Sequence, residues 1–322
     1  MNSPQRLTQR ILEQARAGDM RALKSVPKTD LHAHVDLSCP FNTYSRIARG
    51  RITIPPERFC SLDHFLEFYL RNYLPYLLTP RRYLETIRDA FSTMITDGVI
   101  YTEPSFDLFL LGSTRMAPHE FIKLLSLEVK RVAARLRVAP TLGLARNFSD
   151  PELNWQELAE EYLETGFFEA IDIYGAETLK PLSEFDSFVG AARRRGIKVK
   201  LHSGETGAPE RIRSELHEIE PDQLQHGVRA AESPELLQEL AQRGLLVNVC
   251  PTSNYALRVV EHFTDHPAAR MLKAGVRVTI NSDDYAVFGS SVSEEYLALY
   301  TQGVMNVDQL EQARLNGLSA MR

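Results

Sequence analysis

The sequence predicts an α/β fold, a single (β/α)8 TIM barrel spanning residues 1–322, and three observations carry that expectation. Short apolar segments recur eight times, each followed by a longer amphipathic stretch, the alternation of a parallel sheet wrapped by helices. The chain has 322 residues, 43% of them hydrophobic, enough for one large core. An open, doubly wound sheet would normally carry a glycine-rich phosphate turn after its first strand. Here "HAHVDLSCP" follows, with no glycine.

The elements follow in chain order. Residues 5–24 read as an extra amphipathic helix ahead of the barrel. The first strand covers 29–34 (TDLHAH). Leu31, Ala33 and Val35 take one face; Asp30, His32, His34 and Asp36 take the other. Residues 37–98 form a helical insertion far longer than an ordinary βα connection. Such insertions at the C-terminal face of a barrel shape active sites. Strands at 99–105, 138–144 and 170–174 follow, then 198–202, 222–226, 245–249 and 276–280. Between them lie helical stretches such as "SPELLQELAQRG", capped at Ser233-Pro234 and stopped at Gly244.

Composition narrows the function. The formal net charge is −5, and Arg193-Arg194-Arg195 reads as the solvated end of a helix. Nucleic acid is therefore a poor partner. Cys39, Cys60 and Cys250 are widely spaced with no CxxC, so neither a disulfide framework nor a cysteine zinc site is indicated. The N-terminal stretch lacks an apolar signal core, and no apolar run could cross a bilayer. The expectation is a cytoplasmic protein with no membrane partner and a small-molecule substrate. Nothing specifies its oligomeric state.

The chemistry sits at strand ends. His32 and His34 end the first strand, Glu103 and Ser105 the second, Tyr174-Gly175 the fourth, and His202 the fifth. His226 ends the sixth, "CPTSN" follows the seventh, and Asp283-Asp284 follow the eighth. Taken singly these are weak signals: an HxH arises by chance, and a DD pair is more often a turn or cap. Together they all fall at the barrel rim where active sites are assembled. Residues two apart on a strand share a face, so His32 and His34 can reach one ion from inside the barrel. His202 and Asp283 supply further ligands. The set suits one divalent metal ion, Zn2+ first, which takes imidazole nitrogen and carboxylate oxygen and lowers the pKa of bound water to about 7. Glu205, His226 and Asp284 remain for proton transfer. Lys200 shares the inward parity of His202 and reads as a buried polar residue. The fourth strand, "AIDIY", has no lysine to bridge a second metal.

The segments "PKTDLHAHVD", "HSGETG", "QHG", "CPTSN" and "NSDD", spread from residue 27 to 284, resemble the successive motifs of the adenosine deaminase family in the amidohydrolase superfamily. That resemblance implies a (β/α)8 barrel and hydrolytic deamination of a 6-aminopurine, with adenosine or 2′-deoxyadenosine as the leading substrates. Adenine, or an adenosine modified at the 5′ position, phosphorylated or substituted at N6, is the alternative. A metal-dependent hydrolase of another substrate class on the same barrel ranks below both. It implies His32, His34, His202 and Asp283 as metal ligands and Glu205 as the acid that protonates ring N1. His226 and Asp284 resemble the pair that orients and deprotonates the water. Gly175 matches a backbone contact to purine N3, and Asp36 a carboxylate that binds a sugar hydroxyl. "SLDHFLEFY" resembles an apolar lid, with Leu62, Phe65, Leu66 and Tyr69 facing the pocket. The same four residues would also suit ordinary helix core. The cytidine-type zinc signature is absent.

The chain departs from the family pattern at three places. Leu37-Ser38-Cys39-Pro40 stands where a glycine and a small residue usually follow Asp36. Pro104-Ser105 stands where an arginine is common, and Ala176 replaces an acidic residue after Gly175. All three lie where they could alter the non-reacting half of the substrate.

Overall fold

The computed structural model describes residues 6–146, 154–177 and 180–321. Among the described residues, ten strand segments, all paired in parallel, form the sheet. They are β1 (Lys28–Asp30), β2 (Val99–Thr102), β3 (Ser105–Asp107), β4 (Arg137–Val138) and β5 (Thr141–Ala145), then β6 (Ala170–Tyr174), β7 (Lys198–Ser203), β8 (Gln223–His226), β9 (Leu246–Val249) and β10 (Arg277–Ile280). One ladder runs β1-β2-β4 and a second runs β3-β5-β6-β7-β8-β9-β10.

Eight predicted strands become ten segments because two are interrupted by proline, which has no N–H to give the ladder. The second breaks at Pro104 and the third at Pro140. The chain nevertheless continues across both breaks. Thr141 N donates to Pro104 O at 3.0 Å, and Glu169 N to Pro140 O at 2.8 Å.

The first strand is regular only to Asp30 and then joins both neighbours through single bridges, His34 to Ser105 and Ala33 to Asp283. Asp283 N donates to His32 O at 3.0 Å, and Leu31 N donates to the Asn281 side chain at 2.8 Å. These contacts bring the first and last strands of the (β/α)8 barrel together. They also tie the backbone of two predicted ligands directly to each other.

The helices wrap this sheet. The predicted helix over 5–24 is instead two, Gln9–Arg16 and Arg21–Lys24. Gly18 turns the chain between them at φ 97°, a conformation only glycine adopts freely. The insertion after β1 holds helices Phe41–Ile47, Leu62–Asn72 and Pro80–Thr96. The middle one starts at Ser61, whose hydroxyl accepts the His64 N–H at 3.2 Å. Among the described residues, no helix is long and apolar enough to cross a membrane.

The floor of the barrel is polar and closed. Lys200 Nζ lies 2.8 Å from Glu103 Oε2 and donates to the carbonyls of Leu31 and Glu103. Gln223 and Tyr101 also donate to the Glu103 carboxylate, at 2.8 and 2.7 Å. Burial alone would raise the Glu103 carboxyl; Lys200, with Lys198 and the Tyr101 hydroxyl, outweighs it and holds the group below its usual range. Glu103 is thus a floor residue, not part of the rim, and Lys200 is its counter-ion.

Candidate active site

The site grows from the ends of β1, β7, β8 and β10. Asp30, the deepest residue of the opening motif, accepts the Ser282 hydroxyl at 2.5 Å and the Ser282 N–H at 3.3 Å. It thereby fixes the residue before Asp283. His226 and Asp283 both adopt left-handed backbone, at φ 60° and 57°. Each such position costs a non-glycine residue about 1–3 kcal/mol and persists where surroundings over-determine it.

Two of the histidines are oriented from behind. His32 Nδ1 lies 3.1 Å from the Asn248 carbonyl, and His202 Nδ1 lies 3.1 Å from Asp172 Oδ1. Those oxygens only accept, so each Nδ1 carries the hydrogen and each Nε2 keeps a lone pair. Both Nε2 atoms are buried without a hydrogen-bond partner. Burial, then the charge of His202, pulls the His32 pKa well below its usual value. Burial brings His34 down to about 4. Both rings are neutral near pH 7.

These lone pairs converge. Ligand atoms of His32, His34 and His202 lie within 4.8 Å of one another, as do those of His34, Asp283 and Asp284. Asp283 Oδ1 is 3.5 Å from His32 Nε2 and 3.8 Å from His34 Nε2. An enclosed, unsatisfied pair of imidazole nitrogens facing a carboxylate is a donor set fit for a divalent cation. Cys250 is also within 4.8 Å of His32, His226 and Asp283, but burial pushes its thiol well up.

The remaining predicted residues meet in one open cavity, about 590 Å³ when the adjoining solvent space is included. His34, His202, Asp283, Glu205, His226 and Asp284 line it, with Asp36, Gly175 and the four residues expected to form a lid, Leu62, Phe65, Leu66 and Tyr69. Phe65 is also core, 7% exposed. Burial raises the Glu205 carboxyl well above its usual range, and the charges of Asp283 and Glu177 add to this. Burial and then Asp283 raise Asp284 likewise. Glu205, so placed, keeps its proton near neutrality and can act as an acid, whereas a cation held beside Asp284 would favour that carboxyl's ionised form and leave it free to accept a proton.

Several lining or supporting residues escape the sequence reading. Asp172 backs His202; its inward parity in "AIDIY" was the available signal. Glu177 Oε1 accepts the N–H groups of Glu205 and Thr206 at 3.0 and 2.9 Å, fixing the turn that presents Glu205. Asp107 and Leu257 line the cavity too, beside Tyr174 and Leu37, which the sequence reading already sets near the substrate. Tyr69 OH donates to Asp36 Oδ2 at 3.0 Å, and Tyr174 OH donates to Asp107 Oδ2. Burial, then the charge of Asp107, raises Asp36 to about 7.

A parallel α/β barrel with imidazoles and carboxylates gathered at one rim is the architecture of the amidohydrolase-type enzymes. The adenosine deaminase family pattern matches residues 27–321. An adenine deaminase of Pseudomonas putida is 30% identical over 311 residues, covering 92% of this chain and 98% of that protein. The crystal structure of an adenine deaminase from Arthrobacter aurescens has a TM-score of 0.80 at 24% identity, covering 91% of this chain and 93% of that one. An amidohydrolase from Burkholderia ambifaria with bound Zn has a TM-score of 0.79 at 19% identity, covering 92% and 86%. The chain belongs to the adenosine deaminase family, whose members are metal-dependent hydrolytic deaminases.

Proposed function

We propose that this protein deaminates free adenine. That reverses the order in which the sequence ranked adenosine and its alternatives. One observation carries the choice: the cavity holds Asp36 and Asp107, each already bonded to a tyrosine, and no lysine or arginine among its described lining residues. A 5′-phosphate would meet two carboxylates and no counter-charge. The purine imidazole N–H, by contrast, is a donor suited to a carboxylate acceptor. The names of the relatives, adenine deaminases in Pseudomonas and Arthrobacter, agree with this reading.

His32, His34, His202 and Asp283 would hold the metal. Zn2+ is the ion that neutral imidazole and carboxylate donors favour, and the related Burkholderia protein binds it. When bound, the cation supplies Lewis-acid activation of a water at neutral pH. The chain's own residues do the rest. Glu205, protonated, gives its proton to ring N1 and relieves the negative charge that water addition at C6 places on the ring. Asp284 accepts the proton released by the water, and His226 orients it. Asp284 passes that proton to the amino group, the C6–N bond breaks and ammonia leaves, while the C6 hydroxyl proton returns to Glu205 and a 6-oxopurine remains. Gly175 would offer its backbone to purine N3, and Leu62, Phe65, Leu66 and Tyr69 would cover the ring and exclude bulk water. The reaction belongs to the cytoplasm, where free purines are found and the three cysteines, unpaired here, stay reduced.

Ammonia release from adenine, adenosine and AMP tests the proposal on metal-loaded protein. The expected order is adenine, then adenosine, with AMP lower in kcat/KM by at least 100-fold. AMP turned over as well as adenine would overturn it.

A further inference from the structure

His226 sits at the end of a buried hydrogen-bond chain that begins outside the site. The Ala268 N–H donates to His266 Nδ1 at 3.3 Å. His266 Nε2 lies 3.1 Å from Asn254 Oδ1, and Asn254 Nδ2 lies 3.1 Å from His226 Nδ1. All three side chains are buried, at 4%, 0% and 2% exposure for His266, Asn254 and His226.

The direction of every bond in this chain follows from its first member. A backbone N–H can only donate, so His266 Nδ1 must be the bare nitrogen. Burial brings His266 down to about 3, so the ring is neutral and its single hydrogen is on Nε2. That hydrogen requires an acceptor, which fixes Asn254 with its oxygen toward His266 and its NH2 toward His226. The NH2 in turn requires a bare Nδ1 on His226. The neutral ring then carries its hydrogen on Nε2, the nitrogen that faces Glu205 Oε2 at 3.7 Å.

We infer that His266 and Asn254 are positioning residues that lock His226 as the Nε2–H tautomer, so that His226 acts on the reacting atoms as a hydrogen-bond donor and not as a base. A neutral imidazole with hydrogen on Nε2 has no lone pair there to receive a proton. Proton acceptance from the water then falls to Asp284. Asn254 comes from the helix Pro251–Ala256 after β9, and His266 from the turn before helix Ala268–Lys273. The tautomer itself is independent of the deaminase reading; only its catalytic consequence rests on that reading.

The test is the 15N spectrum of the His226 ring, read by multiple-bond 1H–15N correlation on uniformly labelled metal-loaded protein and assigned by the signals lost in His226→Gln. The expected pattern is a protonated Nε2 and a bare Nδ1. A protonated Nδ1 in the wild type would overturn the inference, whatever the activity. Asn254→Asp offers only acceptors to both histidines and should move the His226 hydrogen to Nδ1. With the metal retained, kcat should fall at least tenfold with KM little changed; a wrong tautomer costs up to about 10⁴ in serine-protease triads. His266→Gln, which still offers an N–H to Asn254, should keep the Nε2–H pattern, whereas His266→Leu should lose it. An Asn254→Asp protein with the wild-type pattern would also sink the inference. If that variant does not fold, the wild-type spectrum still decides.

Discussion

Asp172 Oδ1 lies 3.1 Å from His202 Nδ1, and His202 Nε2 on the opposite side of the ring has no partner. The carboxylate therefore sets both the tautomer and the aim of a proposed ligand. Outer partners of this kind are worth about 10–100-fold in metal affinity or activity. Asp172→Asn keeps an accepting oxygen and loses the charge, so zinc affinity measured by chelator competition should weaken about tenfold. Asp172→Ala loses both and should weaken it about 100-fold. Equal affinity in all three proteins would show that His202 is oriented by something else.

Glu205 is 8% exposed and its carboxyl is raised by burial, while its backbone is held by Glu177. Glu205→Gln preserves size and the Glu177 contact but has no acidic proton. Turnover should drop by about 10²–10⁴, the usual contribution of a positioned acid. Metal content by elemental analysis should stay stoichiometric. Ample turnover in the variant would remove Glu205 from the N1-acid role.

The parts of this site that could be read in the sequence are those governed by strand parity and those carried by the family motifs, Glu205, His226, Asp283 and Asp284 among them. His32, His34 and Asp36 follow period two from one strand. The cavity receives His34 and Asp36, and His32 lies beneath them in the histidine cluster. Lys200 and His202 obey the same rule on β7. What parity cannot convey was missed. Asp107 lies beyond the predicted end of the second strand because Pro104 stops the ladder and Ser105 restarts it. The break at Gly18 divides a helix whose apolar spacing looked continuous. Asn254 and His266 belong to a short helix and a turn, with no period to mark them, and only the fold brings them behind His226.

Asp107 also sets an expectation for substrate charge. Tyr174 packs edge-on to His34 with ring centroids 4.8 Å apart, and its hydroxyl donates to Asp107, so the carboxylate stands one side chain from the histidine cluster. Burial raises the Asp107 carboxyl, against hydrogen bonds from Tyr174 and the backbone, so it repels a phosphate only when ionised; at an effective dielectric near 20, two unit charges ~8 Å apart repel by about 2 kcal/mol. Asp107→Asn should therefore narrow the adenine-to-AMP preference in kcat/KM by roughly 30-fold. The check is the ratio, since a general loss of folding lowers both substrates together. An unchanged ratio would show that Asp107 has no part in the preference.

Glu295 offers a pH prediction away from the proposed metal ligands. Its side chain is fully buried in helix Val292–Thr301, and Oε2 accepts the Thr252 N–H at 3.1 Å. Burial raises the carboxyl from the usual 4.5 to about 8, against weaker opposing hydrogen bonds from Thr252 and Ser290. The folded protein thus holds a proton that the unfolded chain releases. Stability from this group is full below pH 4.5 and is lost as pH rises through about 8. Glu295→Gln keeps the accepting oxygen and cannot ionise. The wild type should therefore lose Tm relative to the variant between pH 5 and 8, by several degrees, with the gap flattening above pH 8. A Tm difference that stays constant from pH 5 to 9 would mean that Glu295 is ionised in the folded protein throughout.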